Sequence, residues 1–267
     1  MIEVRNISKS HDGVTALAPT SLDFHAGEFT VLLGPSGAGK STLLRCLNLL
    51  NPPSTGKIRS DELGDLQDRR TIRNHRLRTG MIFQQHQLIG RYSALDNVLT
   101  GRIGYHGALR SFLPLPWQDK LLAMACLEQV SLTGKALERV DRLSGGEQQR
   151  VGIARALAQQ PKLILADEPV ASLDPATAIH VLSLLRSIAK AENITVIVSL
   201  HQVEFAKEFA DRIIGLSRGH VVFDGAAEQL SHDAQEIIYS RPRDNHRQMP
   251  VDVKPTGVPV MPLTPLH

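Results

Sequence analysis

No stretch of this 267-residue sequence approaches the roughly 18 consecutive apolar residues that a bilayer-spanning helix needs. The opening Met1-Ile2-Glu3-Val4-Arg5 has no apolar signal-peptide core, and the expectation is a soluble, cytosolic chain. An excess of one charge is also missing, because 30 Lys+Arg against 27 Asp+Glu leave a formal net charge of only +3. So small a balance gives no electrostatic reason to expect a nucleic-acid partner. Cysteine is almost absent: Cys46 and Cys126 stand apart inside helical patterns with apolar neighbours and no C-x-x-C spacing, which predicts two reduced, partly buried thiols. The eleven His include no pair at metal-ligand spacing with a third ligand nearby, so no structural zinc is expected. What is plentiful is apolar side chain, 42% of residues, enough for one large domain or one domain with an inserted subdomain.

Against this background Gly34-Pro35-Ser36-Gly37-Ala38-Gly39-Lys40-Ser41-Thr42 stands out, with the spacing G-x-x-x-x-G-K-S between a strand-forming run (Phe29 to Leu33) and a helix-like run (Ser41 to Leu47). Glycines let successive backbone N–H groups curl toward an anion while the following helix points its positive end at it. Lys40 is then expected to reach the β- and γ-phosphates of a nucleotide, and the Ser41 hydroxyl to ligate Mg²⁺. Gly56-Lys57 and Gly134-Lys135 also pair glycine with lysine, but neither has the upstream glycine or the following Ser/Thr.

The remaining chain reads as a frame for that loop. Residues 2–8 and 20–33 form a β-rich opening, with His11 in a turn. Leu43, Leu44, Leu47 and Leu50 make one helical stripe, and the arginines between Arg69 and Arg78 read as a solvated helix face. Met81-Ile82-Phe83 is a strand that ends at Gln84, and Leu95 to Val130 is helical with a break from Gly101 to Pro116. Strand giving way to helix and back to strand predicts an α/β core carrying a helical insert over about residues 86–160.

Four further places stand out. Leu143-Ser144-Gly145-Gly146-Glu147-Gln148-Gln149-Arg150 opens a helix with a capping box, and its glycines leave Ser144, Gly145 and Gly146 open to a second phosphate contact. Leu163 to Asp167 is an apolar strand of the buried parallel kind that exits into Asp167 and Glu168. Two carboxylates there cost desolvation unless a cation waits, which suits Asp167 holding Mg²⁺ through water and Glu168 deprotonating an attacking water. Asp174-Pro175 is an N-cap with proline at the first helical position, and Ile179, Leu182, Leu185 and Ile188 are expected to face inward behind it. His201 follows the strand Ile194 to Ser199, so parallel strands would deliver loop, carboxylates and His201 to one carboxyl edge. From Arg241 onward a proline-containing, aromatic-poor stretch, residues 241–267, reads as a flexible tail.

Taken together the motifs resemble the ATP-binding subunit of an ABC transporter, over about residues 2–240. Gly34 to Thr42 is similar to the family's Walker A loop, Gln84 to the Q-loop, Leu143 to Arg150 to the signature, Leu163 to Asp167 with Glu168 to Walker B, Ser172-Leu173-Asp174 to the D-loop and His201 to the H-loop. The strings Arg78 to Gln85, Ala166 to Pro175 and Leu200 to Val203 look most like the ATPase subunit of bacterial phosphonate importers, with importers of phosphate, phosphite or polar amino acids as alternatives. The resemblance implies an α/β P-loop NTPase core with a mostly parallel sheet, an N-terminal antiparallel β subdomain and an inserted helical subdomain. It implies hydrolysis of ATP with Mg²⁺, with Glu168, His201, Lys40 and Gln84 catalytic, Ser41, Gln84 and Asp167 around the metal, and Asp174 beside the nucleotide. His11 stands where the family usually stacks Tyr or Phe on adenine, and imidazole offers a smaller face. One loop and one signature per chain imply a head-to-tail homodimer with each ATP between Lys40 of one chain and Ser144 and Gly146 of the other. The partners implied are membrane permease subunits and, indirectly, a periplasmic substrate-binding protein, at the cytoplasmic face of the inner membrane. The rival readings are a soluble ABC ATPase acting on DNA or ribosomes and a non-catalytic nucleotide sensor. The first lacks its long coiled coil or second cassette here, and the second sits badly with Lys40, Glu168 and His201.

Overall fold

The computed structural model describes residues 1–85, 87–107 and 114–240, apart from the side chain of His11. The tail expected at residues 241–267 and the first residue of the expected insert, His86, therefore lie outside the described residues.

The chain opens with β1 (Ile2–His11) and β2 (Val14–Phe24), an antiparallel hairpin in which His11 pairs with Val14. The turn is Asp12-Gly13, with φ of 48° and 82°, the left-handed pair whose twist matches two flanking strands. His11 is thus the last residue of a strand. Next come β3 (Phe29–Leu33), α1 (Lys40–Leu47), β4 (Thr55–Ser60) and β5 (Gly64–Asp65), and β4 with β5 joins the hairpin in a four-stranded antiparallel sheet.

A six-stranded sheet forms the centre. After α2 (Arg69–Leu77) and β6 (Thr79–Ile82), the helices α3 (Ala94–Leu99), α4 (Trp117–Gln129) and α5 (Gly145–Leu157) intervene before β7 (Leu163–Asp167). Then follow α6 (Pro175–Glu192), β8 (Thr195–Leu200), α7 (Val203–Phe209), the hairpin of β9 (Arg212–Ser217) and β10 (His220–Gly225), and α8 (His232–Tyr239). The strand order is β10-β9-β3-β8-β7-β6, parallel except for β10. Every residue of β3, β6, β7 and β8 is buried, which explains why these runs are apolar without alternation.

Alternation survives as a division of labour between two cores. Leu32, Leu165 and Ile197 join α1 and the small antiparallel sheet on one face, while Val31, Ile164, Ala166 and Val198 join α3 to α6 on the other. Leu43, Leu44 and Leu47 anchor α1 with no exposed side chain, so truncating Leu44 to Ala would cost about 2–5 kcal/mol. Two inward expectations fail. Leu50 is 47% exposed because α1 has already ended at Leu47 and Leu49 turns left-handed. Ile179 is 40% exposed because Ala178 and Val181 fill the inward side of that turn of α6.

The arginine run is α2, capped by Asp68, and some of its cations have structural work. The Arg76 guanidinium donates to the Asn48 and Leu49 carbonyls, and the buried His75 ring nitrogen Nε2 lies 2.8 Å from the Leu47 carbonyl, so α2 satisfies the open end of α1.

Candidate functional site

Parallel pairing brings the predicted residues to one sheet edge. The loop after β3, Gln84 after β6, Glu168 after β7 and His201 after β8 line one cleft of about 480 Å³, together with Ala16. Two glycines of the loop, Gly34 and Gly39, are fixed by their surroundings. A Cβ on Gly34 would stand 2.2 Å from the Leu216 carbonyl oxygen, and one on Gly39, at φ 104°, would meet the Ala16 carbonyl at 2.8 Å. Strand β2 and the β9–β10 hairpin therefore brace the loop from outside, the Gly219 N–H donating to the Ala38 carbonyl at 2.9 Å.

Lys40 is buried, and its ammonium donates to the Gly34 carbonyl at 2.6 Å and the Pro35 carbonyl at 3.0 Å. Burial pulls its pKa below the ordinary lysine value, with Glu168 and Asp167 pulling the other way. A buried cation hydrogen-bonded to neutral carbonyls is ready for an anionic partner, and a phosphate fits it.

The carboxylate side is held by a residue that the motifs did not mark. Asp167 pairs in register with Ser199 of β8, whose hydroxyl donates to Asp167 Oδ1 at 3.0 Å and accepts from the Glu168 N–H at 2.9 Å. Ser199 thus ties both acids together; its only signal in sequence is a polar residue ending a buried strand. The Ser41 hydroxyl donates to the same Asp167 oxygen at 2.8 Å. Ser41, Asp167 and Gln84 supply a hydroxyl, a carboxylate and an amide oxygen, an all-oxygen donor set suited to Mg²⁺, which ordinarily takes one or two carboxylates and completes its shell from water and phosphate. Glu168 itself has φ 48°, a left-handed conformation that a residue of this kind adopts at a cost of about 1–3 kcal/mol. That backbone turn follows β7 directly, and the Glu168 side chain meets His201, with Oε1 and Nε2 2.5 Å apart.

Ser144, Gly145, Gly146 and Asp174 are not in this cleft. They line a second one, of about 510 Å³, with Glu147, Arg150, Thr177 and His180. The two linings share no residue. The capping box is present: Ser144 Oγ accepts from the Glu147 N–H, and the Glu147 carboxylate accepts from the Ser144 N–H at 2.9 Å. Asp174 caps α6 by accepting from the Thr177 N–H at 3.0 Å. The side chain of His11, expected against the base, lies outside the described residues.

Comparison with known proteins is consistent throughout. A family model described as ABC transporter matches residues 17–171. A phosphonates import ATP-binding protein of Nostoc is 56% identical over 92% of this chain and 94% of its own length, and a phosphite import ATP-binding protein of Stutzerimonas stutzeri is 58% identical over 91% and 90%. Among solved structures, a dimeric ATP-binding cassette in a post-hydrolysis state bound to ADP and Pi is 34% identical, with a TM-score of 0.73 over 85% of this chain and 99% of that one. No described helix is long and apolar enough to cross a membrane. With the family model matching more than half of its length and relatives more than half identical over nine-tenths of it, this chain belongs to the ABC transporter family as an ATP-binding subunit.

Proposed function

We propose that this chain hydrolyses ATP to power a membrane importer of phosphonates, working as a head-to-tail homodimer. The observation that carries the dimer is the separation of the two clefts within one chain. Lys40 and the loop bind the phosphates in one chain, and Ser144 and Gly146 of a second copy close over the same nucleotide. Neither half alone offsets the charge of a triphosphate, so ATP links the two copies, and anything that binds only the joined form stabilises it. Mg²⁺, held by Ser41, Gln84 and Asp167, would offset charge on the β- and γ-phosphate oxygens.

Glu168 is the base in this reading. It orients a water against the γ-phosphorus and accepts its proton as the water oxygen attacks and ADP leaves. His201 holds Glu168 in place and is free to turn to the γ-phosphate once that group is present. Asp174 stays on its helix and shapes the partner-facing cleft. The domain reading, a nucleotide-binding body over residues 2–240 with a helical insert, follows from the same division of labour.

Power needs a place to be delivered. Between α2 and the turn of 3-10 helix Thr100–Tyr105 lies a groove of about 630 Å³ with Ile72 and Leu77 among Arg69, Arg73 and Arg76. It suits a segment of the membrane subunit that is apolar on one face and acidic on its rim. The whole assembly then sits at the cytoplasmic face of the inner membrane with a periplasmic binding protein opposite.

The substrate rests on the relatives' names, and two chemistries compete: a phosphonate, with its carbon–phosphorus bond, or phosphite, with its phosphorus–hydrogen bond. Growth separates them. A strain deleted for this chain, and for other routes of phosphorus uptake, should regain growth on a phosphonate as the sole phosphorus source when the chain is restored with its own permease and binding protein. Growth restored on phosphite alone would make the second reading correct, and growth on neither would overturn both.

A further inference from the structure

Gly134-Lys135 lacks the upstream glycine and the following Ser/Thr of a phosphate loop, yet the fold brings Lys135 to the helix start that carries Ser144. The turn of 3-10 helix Thr133–Lys135 lies between α4 and α5, and Lys135 Nζ lies 2.5 Å from Glu147 Oε1 at the start of α5. The other carboxylate oxygen, Oε2, accepts from the Ser144 N–H at 2.9 Å and from the Ser144 hydroxyl at 3.0 Å. Lysine, carboxylate and signature serine form one chain of contacts.

The geometry points to Lys135 as a positioning residue of the nucleotide half-site that each chain offers its partner, neutralising Glu147 so that Ser144 can receive a phosphate. This rests on the shared-site reading above. The Ser144 hydroxyl has one proton, and a phosphate oxygen that takes it over from Glu147 at the usual distance of about 2.8 Å can be no farther than about 6 Å from Glu147 Oε2. Two anions that close repel unless a cation stands between or beside them. The carboxylate is ionised at any physiological pH, because Lys135 and the Ser144 N–H hold the Glu147 pKa down to about 2. Arg150 lines the cleft, whereas Lys135 stands behind Glu147, and the Arg150 guanidinium donates to the Val130 carbonyl at 3.0 Å. The pair is too near the surface to matter much for folding, with the Lys135 side chain 43% exposed. Its consequence falls on binding.

The experiment uses the full chain carrying Glu168→Gln, so that bound ATP persists, and reads the ATP concentration giving half-maximal dimer by sedimentation. Lys135→Ala should raise that concentration about tenfold, Lys135→Arg should leave it within about twofold, and adding Glu147→Gln to Lys135→Ala should bring it back to within about threefold of the parent. Glutamine keeps the capping box, so the double variant removes the charge and spares the helix start. The proposal is overturned if Lys135→Ala dimerises as readily as the parent, or if the double variant is as poor as the single one. A parent that forms no dimer with ATP sinks the shared site itself and this proposal with it, a result distinct from a dimerising parent indifferent to Lys135.

Discussion

Glu168 Oε1 and His201 Nε2 lie 2.5 Å apart across the ends of two adjacent parallel strands, β7 and β8. The pair joins the acid proposed to activate water with an imidazole that holds its carboxylate. Ser199, in register with Asp167, fixes the backbone from which Glu168 departs.

Replacing Glu168 by Gln removes the proposed base and keeps its size. Nucleotide affinity should stay within a few-fold, while the rate of phosphate release should fall by about 10²–10⁴. A phosphate-release assay beside a fluorescent-nucleotide titration checks both, and hydrolysis at the parental rate would mean that the base is elsewhere.

The separation of the clefts predicts complementation between two dead chains. Lys40→Ala spoils the phosphate side and Ser144→Arg the partner-facing side, so each homodimer should be inactive. A mixed dimer keeps one intact site, which makes about a quarter of parental activity the expectation for an equal mixture that pairs at random. No recovery on mixing, with dimers present, would show that each site is built within one chain.

The buried His75 makes acid stability a test of the α1–α2 junction. Burial lowers its pKa from the ordinary 6.5, with the Leu47 carbonyl opposing and Arg76 reinforcing the shift. Below pH 6.5 the unfolded chain takes up a proton that the folded chain resists, so the contribution is full above 6.5 and declines as the pH falls through and below it. Urea midpoints at pH 8 and pH 5 should therefore diverge in the parent and converge in His75→Gln. An unchanged difference in the variant would assign the acid sensitivity to other groups.

The arginine groove should matter to assembly and little to hydrolysis. Ile72→Asp with Arg73→Glu is expected to abolish co-purification with the permease subunit from detergent-solubilised membranes while the isolated chain hydrolyses ATP within about twofold of the parent. Retention of the permease by the doubly substituted chain would place the contact elsewhere.

The sequence by itself determined where the candidate chemical groups stand along the chain. Gly34 to Thr42, Asp167-Glu168 and the signature string are local patterns, and loops that cradle anions, strands that exit into acids and helix caps are set by neighbours along the chain. The buried parallel strands were legible for the same reason, because a strand covered on both faces must be apolar throughout. Tertiary structure alone decided what those residues touch. Ser199 became the tie between Asp167 and Glu168 through strand register, Gly34 became irreplaceable through the Leu216 carbonyl of a strand nearly two hundred residues away, and Lys135 reached Glu147 through the packing of a turn against a helix start. It also decided that Leu50 and Ile179 face outward, since where a helix ends and which side its neighbours fill are not written in its spacing. The loop and the signature lie in separate clefts for the same kind of reason: α1, which follows the loop, packs in one core and α5 in the other, and a second copy is what we propose brings the two clefts together.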